Sequence, residues 1–205
     1  MVCYTVLVYT GENIRVAVLR GGPSSEYEVS LKTGAAALAH IPRARFEPFD
    51  VFIDRAGVWY ENGCARAPHA ILGGVDAVFN GLHGEWGEDG GVQELLDAHG
   101  ARYTGSGRDA SRRAMQKAFA KAALFQCGIK TPVWRVVHKS DGEPEALALT
   151  LHRSFPQPSV VKPLSLGSSV GVAIAQSTPD IAAALQRVFT LADAALVEEY
   201  IAGTE

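Results

Sequence analysis

The chain has 205 residues, of which 47% are hydrophobic and 20% charged, and its formal net charge is −3. That profile excludes a disordered tail, a collagen-like repeat and a charged low-complexity linker, and at roughly 100 to 200 residues per domain it leaves room for one large or two small domains. No basic block is present to meet a phosphate backbone and no run approaches the roughly 18 apolar residues of a membrane span, so nucleic acid and membrane are not expected partners.

In chain order, residues 15–19 (Arg-Val-Ala-Val-Leu) form a short β-rich run ending in Gly21-Gly22-Pro23-Ser24-Ser25, and a helical pattern follows over residues 29–40. This reads as strand, glycine turn, helix. Residues 46–53 predict a second strand, residues 54–62 a small hairpin, residues 76–82 a third strand, residues 92–99 a short helix and residues 101–104 a fourth strand. Strands alternating with helices imply a parallel sheet covered on both faces, with ligands at the carboxyl ends of the strands. Residues 109–126 predict the longest helix, with Ala114, Ala118, Phe119, Ala122 and Phe125 at helical spacing and Gly128 as a left-handed stop.

Beyond that helix the grammar changes. Residues 131–137, 159–162 and 170–175 predict strands, the last two joined as a hairpin by a glycine- and serine-bearing loop over residues 164–169. Ser177 and Pro179 predict a helix start, that helix runs to about Leu191, and residues 195–201 predict a final strand. The domain boundary is placed near Arg113, so the expectation is an α/β chain with an amino-terminal extension at 1–14, a parallel-sheet domain at 15–113 and a second, α+β domain at 114–205. Cys3, Cys64 and Cys127 are far apart and odd in number, which favours the reducing cytoplasm.

Three clusters could carry chemistry. Ser25 and Glu28 have capping-box spacing in front of the first helix; alternatively, Glu28 holds a cationic group of a substrate at the sheet's ligand edge. His83-Gly84-Glu85-Trp86-Gly87-Glu88-Asp89-Gly90 packs an imidazole and several carboxylates among glycines after a strand, which reads as a ligand-approach loop or as a solvated acidic turn with a helix cap at Asp89. A metal reading needs more than one imidazole at ligand spacing, which is absent. Lys162-Pro163 with Gly167-Ser168-Ser169-Val170-Gly171 offers backbone N–H groups, hydroxyls and a cation, the composition that cradles phosphate, although it lacks the Gly-Lys-Ser/Thr of a P-loop. By itself Lys117 reads as an exposed lysine, and of Glu198 and Glu199 on an apolar strand one should point inward and pair while the other is solvated.

Taken together, the stretches from Gly21 to Ser30, from Leu82 to Gly90 and from Tyr103 to Gly107, the Lys162-Pro163 and Gly167 to Gly171 cluster, and Val197-Glu198-Glu199-Tyr200-Ile201 resemble the D-alanine--D-alanine ligase family of the ATP-grasp superfamily. The resemblance implies a Rossmann-like amino-terminal domain followed by the first part of an ATP-grasp domain, ATP as nucleotide, magnesium or manganese as metal, D-alanine as substrate and a homodimer in the cytoplasm, serving peptidoglycan synthesis. It implies that Glu28 binds the ammonium of the first D-alanine, that His83 lies near that substrate's carboxylate, and that Glu88 supports the active-site serine. Ser168 would be that serine, in a hydrogen-bonded triad with Glu28 and a tyrosine. Lys117 and Lys162 would bind phosphates together with the loop of Gly167, Ser168 and Ser169. Glu198 and the backbone of Glu199, Tyr200 and Ile201 would hold adenine, and Glu205 the ribose. Gln116 stands where members commonly carry an acid.

The triad tyrosine, a transition-state arginine and the metal ligands of the family have no counterpart in these 205 residues. The expectation is therefore an amino-terminal two thirds, with no metal ligand in this chain and no complete catalysis alone. Other readings are a ligase using D-lactate or D-serine as second substrate, and a non-catalytic nucleotide-binding or interaction module.

Overall fold

A computed structural model of the chain describes residues 13–167 and 169–203. They fall into two compact units divided between Arg108 and Asp109, a few residues before Arg113.

In the first unit, β1 (Ile14–Gly21), α1 (Tyr27–His40), β2 (Phe46–Ile53), β3 (Trp59–Glu61), β4 (Cys64–Ala65), α2 (Pro68–Leu72), β5 (Ala77–Asn80) and α3 (Gly91–Ala98) follow in order. The strands form one sheet in the order β4-β3-β2-β1-β5. β1 pairs in parallel with β2 (Ile14 opposite Phe46) and with β5 (Val16 opposite Ala77). A strand flanked on both sides and covered on both faces must be apolar throughout, and Ala17, Val18 and Leu19 are fully buried. Pro48 is accommodated in β2 because β3 pairs only from Val51 onward, leaving that stretch of β2 with β1 as its one neighbour. Val51, Ile53, Val78, Val92 and Leu96 complete this core.

Residues 101–104, expected as a strand, make only an isolated bridge between Val78 and Tyr103. The ladder stops because the Asn80 N–H goes to the Thr104 hydroxyl at 3.0 Å, and Gly105, at φ 99°, turns the chain away.

The second unit holds β6 (Trp134–His138), a 3-10 turn at Lys139–Asp141, α6 (Pro144–Ser154), β7 (Ser159–Pro163), β8 (Ala173–Ala175), α7 (Thr178–Leu191) and β9 (Ala194–Glu199). Its antiparallel sheet has the order β6-β9-β7-β8. Val137, Val161, Ala175, Ala195 and Val197 pack with Leu151 of α6 and Ile181, Leu185 and Val188 of α7 into the core. α7 begins as its sequence dictates: the Ser177 hydroxyl accepts from the Asp180 N–H at 3.4 Å, and Pro179 lies in the first turn. The expected strand over 170–175 shortens to Ala173–Ala175. Neither α2 nor α6 was expected, although Pro144 followed by Leu147, Ala148 and Leu151 is a readable helix start with an apolar stripe.

The expected long helix over 109–126 is two helices, α4 (Arg108–Met115) and α5 (Lys117–Gln126). Gln116 between them is extended, at φ −83° and ψ 98°. The Lys117 N–H has left the helical ladder for the carbonyl of Leu164 at 3.3 Å. The far end behaves as expected: Gly128 is left-handed, at φ 74°, and the Ile129 N–H returns to Leu124 O at 3.0 Å.

Candidate functional site

In the first unit the turns after β1 and β5 emerge from adjacent parallel strands at their carboxyl ends. Ser30, fully buried on α1, ties them together: its hydroxyl accepts from the Gly21 N–H and donates to Gly81 O, each at 2.8 Å. Gly21 sits at φ 91°, where a Cβ would stand 2.1 Å from Ile53 O, so only glycine lets the chain turn here.

The expected capping box does not form. The Ser25 hydroxyl donates to Glu85 at 3.1 Å, and it is the Ser24 hydroxyl that takes the Glu26 N–H, at 3.0 Å. Glu28 points into solvent, its side chain 72% exposed, and meets Arg55 at 3.4 Å. The acid that the turn brings inward is Glu26. It is half-buried, its Oε1 lies over Gly84, 3.3 Å from where a Cβ would be, and its carboxylate has no hydrogen-bond partner among the described residues.

His83 Nε2 is 2.8 Å from the Thr33 hydroxyl, and Nδ1 is 3.4 Å from Glu88 Oε1. With the proton on Nδ1, facing Glu88, Nε2 accepts from Thr33. Glu88 Oε2 also accepts from the Gly84 N–H at 2.8 Å, so this carboxylate shapes its own turn and orients the imidazole. Gly87 O accepts from Asn80 and from the buried Gln93, which fixes the far side of the loop. Asp89 accepts from the Gly91 N–H at 2.9 Å, an Asx-type turn one residue ahead of the cap; the cap position of α3 is Gly90, not the expected Asp89, and carries no side-chain cap bond. Thr33 and Ser30, spaced one turn apart on α1, are the positioning residues that motif reading missed.

In the second unit a cleft of 440 Å³ is lined by Lys117, Lys162, Gly167, Ser169, Glu198 and Tyr200, with Pro132, Val160, Leu166, Val172, Ile174, Glu199 and Ile201 around them. The sheet explains the assembly. Val160 is opposite both Ile174 and Glu198, and Lys162 is two residues further along β7, so the period of two puts all four on one face. The opposite face carries Val161 and Val197 into the core.

Glu198 is the buried acid that the strand's alternation demands. Its Oε1 is 2.5 Å from Lys121 Nζ and its Oε2 contacts Lys162 Nζ. Burial works to raise its pKa, but the Lys121 hydrogen bond and then that of Lys162 prevail and hold the carboxyl below its usual range. Lys117 is half-buried, not an exposed lysine, and donates to Pro163 O at 3.1 Å and to the carbonyl of Leu166. Burial, reinforced by the Lys162 ammonium and opposed by Glu198, pushes its pKa below the ordinary value. Lys121, one helical turn after Lys117, is the residue sequence reading passed over.

Beyond Glu198 the Glu199 N–H donates to Val133 O and the Tyr200 N–H to Pro158 O, each at 3.0 Å. The Glu199 carboxylate accepts from the Val133 N–H at 3.0 Å. The Ile201 N–H has no partner among the described residues. Ser168 and Glu205, both expected at the site, lie outside the described residues. Among those residues no group of three or more His, Cys, Asp or Glu is placed to hold a metal ion. No helix among them is long and apolar enough to cross a membrane.

Comparison with known proteins adds an independent line. The family model for the D-ala D-ala ligase N-terminus matches residues 15–72 and 64–106, and that for the D-ala D-ala ligase C-terminus matches residues 124–205. A D-alanine--D-alanine ligase of Pelobacter propionicus is 40% identical over 193 residues, which are 93% of this chain and 57% of that protein. One from Caulobacter is 43% identical over 199 residues, 94% of this chain and 56% of that protein. Among solved structures, the VanG D-Ala:D-Ser ligase from Enterococcus faecalis is similar at TM-score 0.82 and 27% identity, over 94% of this chain and 64% of that one. The D-alanine-D-alanine ligase from Coxiella burnetii is similar at 0.80 and 27%, over 93% and 65%. The chain thus spans just under three fifths of the length of these curated relatives.

Proposed function

The chain belongs to the D-alanine--D-alanine ligase family, and from that premise we propose that it binds ATP in the second unit and the first D-alanine in the first, for the ATP-dependent joining of two D-alanines in peptidoglycan precursor synthesis. The observation that carries this reading is the cleft, which gathers two lysines, a glycine-serine turn, a buried carboxylate bonded to one of those lysines, and an open backbone N–H. Lys117 and Lys162 neutralise the phosphates together with backbone N–H groups and hydroxyls of Gly167, Ser168 and Ser169. An ionised Glu198 accepts from the exocyclic amine of adenine, and the Ile201 N–H donates to a ring nitrogen. Glu205 takes the ribose hydroxyls.

A carboxylate is a poor acyl donor. The first D-alanine's carboxylate oxygen takes the terminal phosphoryl of ATP and ADP leaves; the amine of the second D-alanine then attacks the acyl carbon and phosphate departs. Cations and backbone donors stabilise the negative charge at each stage. His83, held by Thr33 and Glu88, faces the first substrate's carboxylate. For the substrate's ammonium the geometry favours Glu26 over Glu28, because Glu26 is turned into the 83–88 loop and unpaired whereas Glu28 is exposed and paired with Arg55. The triad role of Ser168, the homodimer and the cytoplasmic location complete the proposal.

Calorimetric titration of the chain with ATP tests the reading. Binding that Lys162→Ala weakens by about tenfold or more, the worth of one charge-assisted hydrogen bond, supports it; no ATP binding at millimolar concentration overturns it. The likeness to the VanG D-Ala:D-Ser ligase favours, as a second reading, D-serine in place of the second D-alanine. Calorimetric titration of the ATP-loaded chain with D-alanine, D-serine and D-lactate separates the two.

A further inference from the structure

We propose that Lys121 is a positioning residue of the cleft: it keeps the Glu198 carboxylate charge-balanced and turned toward the nucleotide, so that Lys162 is free to leave Glu198 for phosphate. This rests on the nucleotide reading above and assigns the one buried lysine that reading does not use.

Lys121 is 7% exposed, does not line the cleft, and packs its ammonium 5.3 Å from the centroid of the Trp134 ring. Its partner Glu198, equally buried, does line the cleft. One carboxylate therefore holds two ammoniums on separate oxygens, one from outside the cleft and one from within it.

A triphosphate entering the cleft draws Lys117 and Lys162. If Lys162 were the only cation on Glu198, its departure would strand a buried charge, the arrangement a protein tolerates least. Phosphate would then compete with Glu198 for the same lysine. Lys121 removes that competition, since α5 and Trp134 hold it outside the cleft and its bond to Oε1 persists when Lys162 moves. Oε2 is then exposed as a pure acceptor, and the base edge that suits it must present an N–H donor. The depressed pKa of Glu198, to which the Lys121 hydrogen bond contributes more than that of Lys162, is consistent with this division of labour.

The test is a double-mutant cycle read by calorimetry with two ligands, ATP and inorganic tripolyphosphate, which lacks a base. Lys121→Met is expected to weaken both by about tenfold or more in the parent chain, and by no more than about twofold in a Glu198→Gln background, where no carboxylate charge remains to be balanced. If Lys121 acted through packing alone the two backgrounds would lose affinity equally; that result, or undiminished binding by Lys121→Met, overturns the proposal. Lys121→Gln, which keeps a hydrogen-bond donor without the charge, carries the same cycle if the methionine variant does not fold. Binding of neither ligand by the parent chain overturns the nucleotide reading itself and Lys121's part with it.

Discussion

Lys117→Met separates binding from folding. In the ligand-free chain the Lys117 ammonium is half-buried beside Lys162 and is met mainly by carbonyl oxygens at the end of β7 and in the loop after it. Methionine keeps the stem and removes the charge; the released carbonyls of Leu164 and Leu166 sit on half-exposed residues that water can reach, whereas that of Pro163, a buried residue at the end of β7, loses its donor. Lost hydrogen bonds and relieved desolvation oppose each other, and the net change in stability should stay within about 1 kcal/mol, about 5 °C in Tm for a unit of this size. ADP affinity has no such offset. A charge-assisted hydrogen bond of about 1.5 to 3 kcal/mol is lost, which is about 10- to 100-fold in Kd.

The pH dependence has a definite sign. A lysine whose folded pKa lies below 10.5 destabilises the fold while protonated, and that penalty fades as pH rises through the lowered value toward 10.5. The parent should gain stability across that alkaline window and Lys117→Met should not. Calorimetry with ADP and thermal melts at a series of pH values read both quantities. ADP affinity within about threefold of the parent, with a Tm lowered by well over 5 °C, would show that Lys117 is a structural latch and refute the reasoning.

Glu26→Gln should weaken D-alanine binding, followed by NMR shift changes, by about tenfold or more, whereas Glu28→Gln should change it by less than about twofold; the reverse order would return the role to Glu28. Gly21→Ala places a Cβ against Ile53 O at φ 91° and should cost about 2 to 4 kcal/mol, seen as a lower urea midpoint, and an unchanged midpoint would contradict the turn geometry. Because the folded pKa of Glu198 is lowered from 4.5, its contribution is fully present above that value and is lost as pH falls toward the folded one. Urea titrations from neutral to acid pH should therefore show a decline in stability that Glu198→Gln flattens; an equally steep decline in that variant would place the acid sensitivity elsewhere.

What was legible in the sequence is what local physics determines. β1, β2, α1 and the capped start of α7 follow from periodicity, glycine turns and a serine cap within a few residues of where they are found. Residues 101–104 have the composition of a strand, but whether they extend one depends on Asn80, whose N–H takes the Thr104 hydroxyl. Glu26 and Glu28 lie two residues apart at the start of α1, about 200° around a helix, so which of them faces the 83–88 loop depends on where the helix begins, the least legible feature of any helix. Lys121 did leave a signal: it falls between Ala118 and Ala122 within the apolar stripe, where a lysine calls for a buried acid.

The break at Gln116 links fold to chemistry, and nothing local announces it. Had 109–126 been one helix, Lys117 and Lys121 would have been two similar lysines along a continuous face. The bond from the Lys117 N–H to Leu164 O starts a new helix at Lys117, so one lysine sits at a helix N-terminus and the other one turn inside it. A cation is disfavoured at that end by the helix dipole, and Lys162 nearby adds to the cost. The inner lysine is buried and answered by Glu198. The two positions therefore carry opposite electrostatic states. Lys121 is satisfied without ligand, whereas Lys117 is hydrogen-bonded by neutral carbonyls, is only partly compensated by Glu198, and is relieved further when an anion arrives, the state in which a helix N-terminus and a lysine act in the same direction.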